Sequence, residues 1–451
     1  MAHKLTLKHL FFGIALMLAL PVSALDGSWR GDLSIGQFKL PLVFNFSAGA
    51  DGKPACSIDS PSQGAKGIPA DVVHSSADSI AVECRMIGAS FRGRVADGRV
   101  DGTFSQRGQS FPLSLAPEQS AEQRRPQTPR PPYPYTAVDT SFRSADGTKL
   151  AATLTLPLNA SSAKVPAVVM VTGSGPQNRD EEIMDHKPFA VIADYLARNG
   201  VASLRYDDRG VGQSEGNFLK ATTYTFKDDA AAAVRFMRNV AGIGGVGVLG
   251  HSEGGTIAFM LGADKAVDFI VSLAGMAETG KETLMRQNEH QLSKFALSNK
   301  DKENSMALIS ALFDEIARQS ETGTSSPIDI DSLVSKSGLT VPGPVVLSLK
   351  STQKIRTPWF DTFLTLNPDK YLKRIHCPIL AVNGELDTQV HAATNIGIIK
   401  ASCPAATTII YPSLNHMLQH AVTGEPSEYD SIRQTVSPDV LTDILSFIKS
   451  L

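Results

Sequence analysis

The stretch GVLGHSEGGT (Gly247–Thr256) sets Ser252 between Gly250 and Gly254, with an apolar run before it and the apolar segment GTIAFMLGA behind it. A serine hydroxyl is a weak nucleophile at neutral pH and needs an accessible position and a base within hydrogen-bond reach. The G-x-S-x-G spacing supplies the access where a strand turns sharply into a helix. There the nucleophile takes strained backbone angles, and the residues two positions away press against neighbouring backbone where a Cβ would collide. GGVGVLG provides such a strand and GTIAFMLGA such a helix. The chemistry this predicts is acyl transfer through Ser252, with a carboxylate and then a histidine following in chain order.

CPILAVNGELDTQV ends a strand and offers Asp387, with Glu385 as its rival; Asp387 is preferred because Gly384 takes the turn and the carboxylate is carried past it. TTIIYPSLNHMLQH ends the next strand and offers His416, the first histidine after that strand, with His420 one helical turn further on. As an i, i+4 metal pair the two histidines lack the H-E-x-x-H glutamate and a third ligand nearby, so no metal is expected. A developing oxyanion needs two preorganised N–H donors. The backbone of Glu253 is one candidate; the other is Ser174, next to Gly175, in the loop TGSGPQNRD (Thr172–Asp180). The glycines of DDRGVGQSEG (Asp207–Gly216) do not have the G-x-G-x-x-G spacing, so the segment reads as a structural turn and no cofactor is implied.

These groups need a frame that brings strand ends together. From Ala137 onward, apolar strands such as VPAVVMVTG, GVASLRYD, GVGVLG and DFIVSLAG alternate with helical segments such as HKPFAVIADYLARNG, which predicts a mostly parallel sheet with crossover helices. Between residues 278 and 372 the rhythm is lost, and the segment reads as a polar helical cap inserted ahead of CPILAVNG. Residues 26–117 predict a small all-β domain: Leu40, Leu42, Phe44 and Phe46 alternate, and Asp-Gly pairs at Asp51, Asp97 and Asp101 suggest turns. Residues 118–136 are proline-rich and read as a semi-rigid spacer, with a PxxP ligand as the alternative.

The motifs TGSGPQNRD, RYDDRGVGQSEG, GHSEGG, NGELDTQV and NHM together resemble the α/β-hydrolases, in the branch of serine aminopeptidase-like proteins that includes bacterial carboxylesterases. The resemblance spans about Ala137–Leu451 and implies an α/β-hydrolase fold with flanking helices and a helical cap. In that branch the first motif often begins His-Gly; here Thr172 stands in place of the histidine. The N-terminal β region resembles the accessory domain that precedes such hydrolases in some secreted bacterial proteins.

The 451 residues suggest two or three domains, and 43 basic against 45 acidic residues leave no electrostatic footprint for nucleic acid. Lys4 and Lys8, the run LFFGIALMLAL and the small residues Val22 and Ala24 read as a secretory signal over residues 1–24. That run is short of the roughly 20 apolar residues a membrane span needs. The mature chain is therefore expected in the periplasm or outside the cell, without stable membrane insertion. Export permits disulfides, and Cys56 with Cys84 and Cys377 with Cys403 are the possible pairs, against four buried thiols. The expected function is a secreted serine hydrolase acting on a small-molecule carboxylic ester. One alternative is a serine aminopeptidase whose cap presents Glu278, Glu282 and Glu289 to a free N-terminus; the other is an envelope binding module with a vestigial hydrolase.

Overall fold

The computed structural model describes residues 25–451 apart from 36–37, 50–52, 62–64, 119–123, 162 and 355. The predicted signal segment and the Asp51-Gly52 pair lie outside the described residues. The chain divides into two compact units between Ser120 and Ala121.

In the first unit eight antiparallel strands follow one another: β1 (Gly27–Ile35), β2 (Phe38–Ala48), β3 (Pro54–Ser60), β4 (Ala65–Ser75), β5 (Ser79–Cys84), β6 (Ala89–Ala96), β7 (Arg99–Gln106) and β8 (Gln109–Pro117). Pairing of β1 with β8 closes them into a barrel. Inward residues at every second position, among them Leu42, Phe44, Phe46, Phe91 and Leu115, form its core, as expected for an eight-stranded barrel just wide enough to be filled by side chains. Asp97 and Gly98 both have positive φ (50° and 71°) and make the β6–β7 hairpin turn. Asp101-Gly102, by contrast, is not a turn but lies inside β7. Gly102 is required there because a Cβ would sit 2.3 Å from the Arg92 carbonyl oxygen of the neighbouring strand. All four cysteines are free thiols; burial, and secondarily the neighbouring Cys84, push the Cys56 thiol up to about 12.

The second unit holds β9 (Thr136–Arg143), β10 (Lys149–Leu156), β11 (Val165–Val171), α1 (Pro188–Arg198), β12 (Ala202–Tyr206), α2 (Thr223–Arg238), β13 (Ile243–His251), α3 (Glu253–Ala263) and β14 (Ile270–Leu273). Six helices come next: α4 (Gly280–Ser293), α5 (Asn299–Glu321), α6 (Ile330–Ser337), α7 (Gly343–Lys354), α8 (Pro358–Leu364) and α9 (Asp369–Leu372). β15 (Ile379–Gly384), α10 (Ala392–Ser402), β16 (Thr407–Tyr411) and α11 (Pro438–Lys449) complete it. The sheet order is β16-β15-β14-β13-β11-β12-β10-β9, parallel from β16 to β12 and antiparallel at β10 and β9. Helices bury both faces. One apolar cluster joins the sheet to α2 and α3, the other joins it to α1 and α11, which is why the central strands read as continuous apolar runs. Strand β9 escapes the sequence pattern because it is an edge strand with four exposed residues at its start.

The proline-rich stretch is not a free spacer along its whole length. Arg125 is only 2% exposed and donates to the carbonyls of Met184, Asp430 and Ile432. Gln127 Nε2 donates to the Val436 carbonyl, and Tyr135 Oη lies 2.7 Å from Asp194. A guanidinium keeps its charge when buried and is tolerated there only where acceptors surround it, and these acceptors come from segments distant in sequence.

Candidate active site

Ser252 joins β13 to α3 with φ 54° and ψ −119°, a region L-residues rarely occupy. A Cβ on Gly250 would lie 2.0 Å from the Gly254 carbonyl oxygen, and one on Gly254 would lie 2.1 Å from that of Val171. The two glycines therefore let helix and strand close around the serine. Ser252 N–H is held by the Leu273 carbonyl at 2.9 Å, anchoring the turn to β14.

Asp387 sits just beyond β15 and His416 beyond β16. His416 Nδ1 lies 2.8 Å from Asp387 Oδ2, and both residues are buried. The other Asp387 oxygen accepts the backbone N–H groups of Gln389 and Val390, each at 2.8 Å, so the carboxylate is fixed from both ends. The rivals stand elsewhere: Glu385 is exposed, and the His420 Nδ1 faces Gln434 at 2.9 Å. Ser252 and His416 line one cavity of about 250 Å³ together with Gly173, Ser174 and Glu253. Cap helices supply Thr283, Leu284 and Gln287 from α4, and Trp359 and Phe363 from α8, to the same cavity.

The loop after β11 is held from beneath. Asp208 accepts from Thr172 Oγ1 at 3.0 Å and from the Gln177 N–H at 3.0 Å, so Thr172 has its own anchor in the segment read as a structural turn. Burial pushes the Asp208 carboxyl well above the usual range. Gly173 N–H is taken by Glu181 Oε1 at 2.7 Å. Ser174 is the next residue along, and Glu253 opens α3, where first-turn N–H groups have no intrahelical partner.

The Glu253 side chain was not anticipated. It is 3% exposed, and it accepts from Ser174 Oγ at 2.7 Å, Thr223 Oγ1 at 2.6 Å and the indole N–H of Trp359 at 2.9 Å. Burial raises its pKa, partly offset by those three donors. One carboxyl thus ties the loop after β11, the start of α2 and the cap. The glutamates proposed for an ammonium pocket are placed otherwise. Glu278 is buried against Arg286 at 2.9 Å, Glu282 closes the N-terminal capping box of α4 with Thr279, and neither they nor Glu289 lines the cavity.

A larger hollow of about 450 Å³ lies on the barrel beside His74, Asp78 and Ser79. Ser79 Oγ is 3.1 Å from His74 Nε2 there, but Asp78 contacts the hydroxyls of Ser76 and Ser79 instead of the imidazole. The group is solvent-exposed, and among the described residues no carboxylate orients its histidine.

His186, near the cavity wall, is fully buried. Its Nε2–H donates to the Tyr429 carbonyl and its Nδ1 accepts from Thr435 Oγ1, each at 2.9 Å. Burial, and then the Arg125 charge, hold its pKa down to about 4. Its folded-state pKa is below the unfolded value, so its contribution is fully present above about pH 6.5 and is lost as pH falls through 4. Denaturant titrations between pH 7 and pH 4 should show a loss on the order of 3 kcal/mol from this group, and His186→Asn should flatten that slope. An unchanged slope in the variant would assign the acid sensitivity elsewhere.

The sheet order, the strained serine turn and the carboxylate–imidazole pair at successive strand ends define an α/β-hydrolase. Residues 146–413, more than half of the chain, match the X-Pro dipeptidyl-peptidase (S15) family, and the chain belongs to it. Esterase EstD of Thermotoga maritima is 32% identical over 142 residues, 31% of this chain and 34% of that protein. An acyl transferase of Shewanella hanedai is 31% identical over 104 residues, 23% of this chain and 32% of that protein. The chain thus spans about a third of the length of these curated relatives. Among solved structures, the Pyrococcus furiosus esterase Pf2001 superposes with a TM-score of 0.42 at 15% identity, covering 70% of this chain and 93% of that one.

Proposed function

We propose that the protein is an exported serine hydrolase that cleaves carboxylic esters through an acyl-enzyme. The observation that carries this reading is the His416–Asp387 pair at 2.8 Å opening on the cavity that Ser252 lines. Ser252 Oγ attacks the ester carbonyl while His416 Nε2 takes its proton, and Asp387 keeps the imidazole in the tautomer that leaves Nε2 free. The Ser174 and Glu253 N–H groups receive the oxyanion. Collapse expels the alcohol, which takes the proton from His416; water deprotonated by His416 then attacks the acyl-serine and releases the acid. The cavity shares Ser174 and Trp359 with a neighbouring hollow lined also by Phe218 and Leu219, room suited to an apolar acyl chain. The activities of the two relatives, esterase and acyl transferase, agree with acyl chemistry. Export follows from the signal read in residues 1–24.

The family's dipeptidyl-peptidase description favours a second reading, cleavage of peptides at a free N-terminus. That needs an anionic group open to an ammonium. Two carboxylates line the cavity: Glu253, whose oxygens are taken by Ser174, Thr223 and Trp359, and Glu181, whose Oε1 is taken by the Gly173 N–H and by His251. The connected Asp387–His416 pair speaks against a vestigial site. Esters also demand less than amides, because an alkoxide leaves more readily than an unprotonated amine. Short- and medium-chain p-nitrophenyl esters are expected to be hydrolysed with much larger kcat/KM than alanyl-prolyl arylamides. Arylamide turnover above ester turnover would overturn the ester reading in favour of the peptidase.

A further inference from the structure

We propose that Glu181 and His251 form a buried carboxylate–imidazolium pair that positions the loop after β11 and the His416 loop about Ser252. The inference rests on the serine-hydrolase reading of the site for its catalytic consequence, though not for the charge on the pair.

His251 immediately precedes Ser252, and its ring is buried. Its Nδ1 lies 2.9 Å from Glu181 Oε1, and its Nε2 lies 3.0 Å from the backbone carbonyl oxygen of His416. A carbonyl oxygen can only accept, and so can a carboxylate. A neutral imidazole carries one N–H and can serve only one of them; serving both takes two. The proton belongs on the ring and not on Glu181, because imidazole is the more basic group. His186 shows the contrast: its two ring nitrogens meet one carbonyl and one hydroxyl, a set that a neutral ring satisfies. Burial works against the His251 cation, but the Glu181 charge and hydrogen bond outweigh it and hold the pKa up to about 9.

The same Glu181 oxygen that meets His251 also accepts the Gly173 N–H at 2.7 Å, one residue before Ser174. One ion pair therefore ties three elements: the loop carrying the Ser174 N–H, the strand end carrying Ser252, and the main chain of His416 itself. The His251 and His416 rings stand 4.7 Å apart between centroids. Glu181 is held at φ 52°, in the left-handed region that non-glycine residues seldom adopt. Its loop is pinned by Arg125 through the Met184 carbonyl. Strain of this kind persists only where the surroundings over-determine it, and it clusters at functional sites. The charged and titratable groups facing the pair are His416 and Asp387 on the His251 side and Asp208 on the Glu181 side. Glu181 and His251 line the cavity, but their hydrogen bonds go to the Gly173 N–H, to each other and to the His416 carbonyl, so they act as positioning residues.

Two measurements on the full chain test this. In the first, ¹⁵N NMR of the histidine rings at pH 7 should show both His251 nitrogens protonated. A His251 nitrogen without a proton at pH 7 overturns the proposal whatever the protein hydrolyses. The second compares Glu181→Gln with wild type on a p-nitrophenyl ester. The amide keeps the shape but not the charge, so His251 falls to one N–H and one of its two bonds is lost. The expected result is a kcat loss of about 10- to 100-fold, short of or equal to removing one oxyanion donor, with KM within about twofold of wild type, because the pair acts on orientation. Wild-type kcat should also fall as pH rises through about 9, where His251 gives up its proton, and that limb should vanish in Glu181→Gln. Wild-type kcat and an unchanged alkaline limb in a folded Glu181→Gln variant would overturn the proposal. Turnover that survives Ser252→Ala would instead overturn the hydrolase reading, and the ring-proton measurement would still decide the pair.

Discussion

Ser252→Ala is expected to abolish ester turnover, with kcat falling on the order of 10⁶-fold as in other serine hydrolases stripped of the nucleophile. Labelling by a fluorophosphonate probe should be lost with it. The variant should remain folded: the serine N–H, not its hydroxyl, makes the bond to Leu273 that anchors the turn. Alanine faces the same φ of 54° that serine already tolerates. The glycines that let helix and strand close are untouched. Intact-mass analysis after probe treatment, together with circular dichroism, distinguishes loss of the nucleophile from loss of the fold. Labelling retained by the alanine variant would place the nucleophile at another residue.

Asp387→Asn should cost about 10⁴-fold in kcat, the penalty seen where an aspartate that selects the histidine tautomer is replaced by its amide. Asp387 Oδ1 already accepts two backbone N–H groups, from Gln389 and Val390. The amide oxygen of an asparagine would therefore stay on that side and its NH₂ would face His416 Nδ1. That forces Nδ1 to accept, so the proton moves to Nε2, where it blocks the removal of the serine proton. Glu385→Gln, at an exposed position, should change kcat by less than about twofold, in line with surface changes away from special features. The reverse ranking of the two variants, read from kcat on a p-nitrophenyl ester, would show that the wrong carboxylate was assigned.

The parts of the site that could be read in the chain are those whose constraints are local. The turn around Ser252 needs glycine at 250 and 254 because backbone atoms approach within a few residues or across one strand pair, and G-x-S-x-G records that need. Asp387 and His416 each follow a short apolar strand, so counting strand ends locates them. Ser174 and Glu253 were expected through their backbone N–H groups, a role that depends on position and not on side chain. Glu181, His251, Trp359 and Arg125 were not marked. Their partners are far away: Glu181 and His251 are 70 residues apart, Glu253 and Trp359 are 106 apart, and Arg125 reaches the Ile432 carbonyl across 307.

The sequence by itself determined a small all-β segment, an α/β unit with a helical insertion, and the chain order of serine, aspartate and histidine. Hydrophobic period and glycine spacing are properties of short windows, and burial of an apolar face follows from them. The tertiary structure alone decided which polar groups are buried and who satisfies them. It moved Asp101-Gly102 from a turn into a strand, bound Arg125 to the distant carbonyls of Met184, Asp430 and Ile432, and set Glu278 against Arg286, leaving Glu181 and Glu253 as the glutamates lining the cavity. A charge in the interior is tolerable only with a matched partner, and that partner is supplied by whatever segment the fold brings alongside. For Glu181 and His251, 70 residues apart, no short window of the chain contains both halves of the pair.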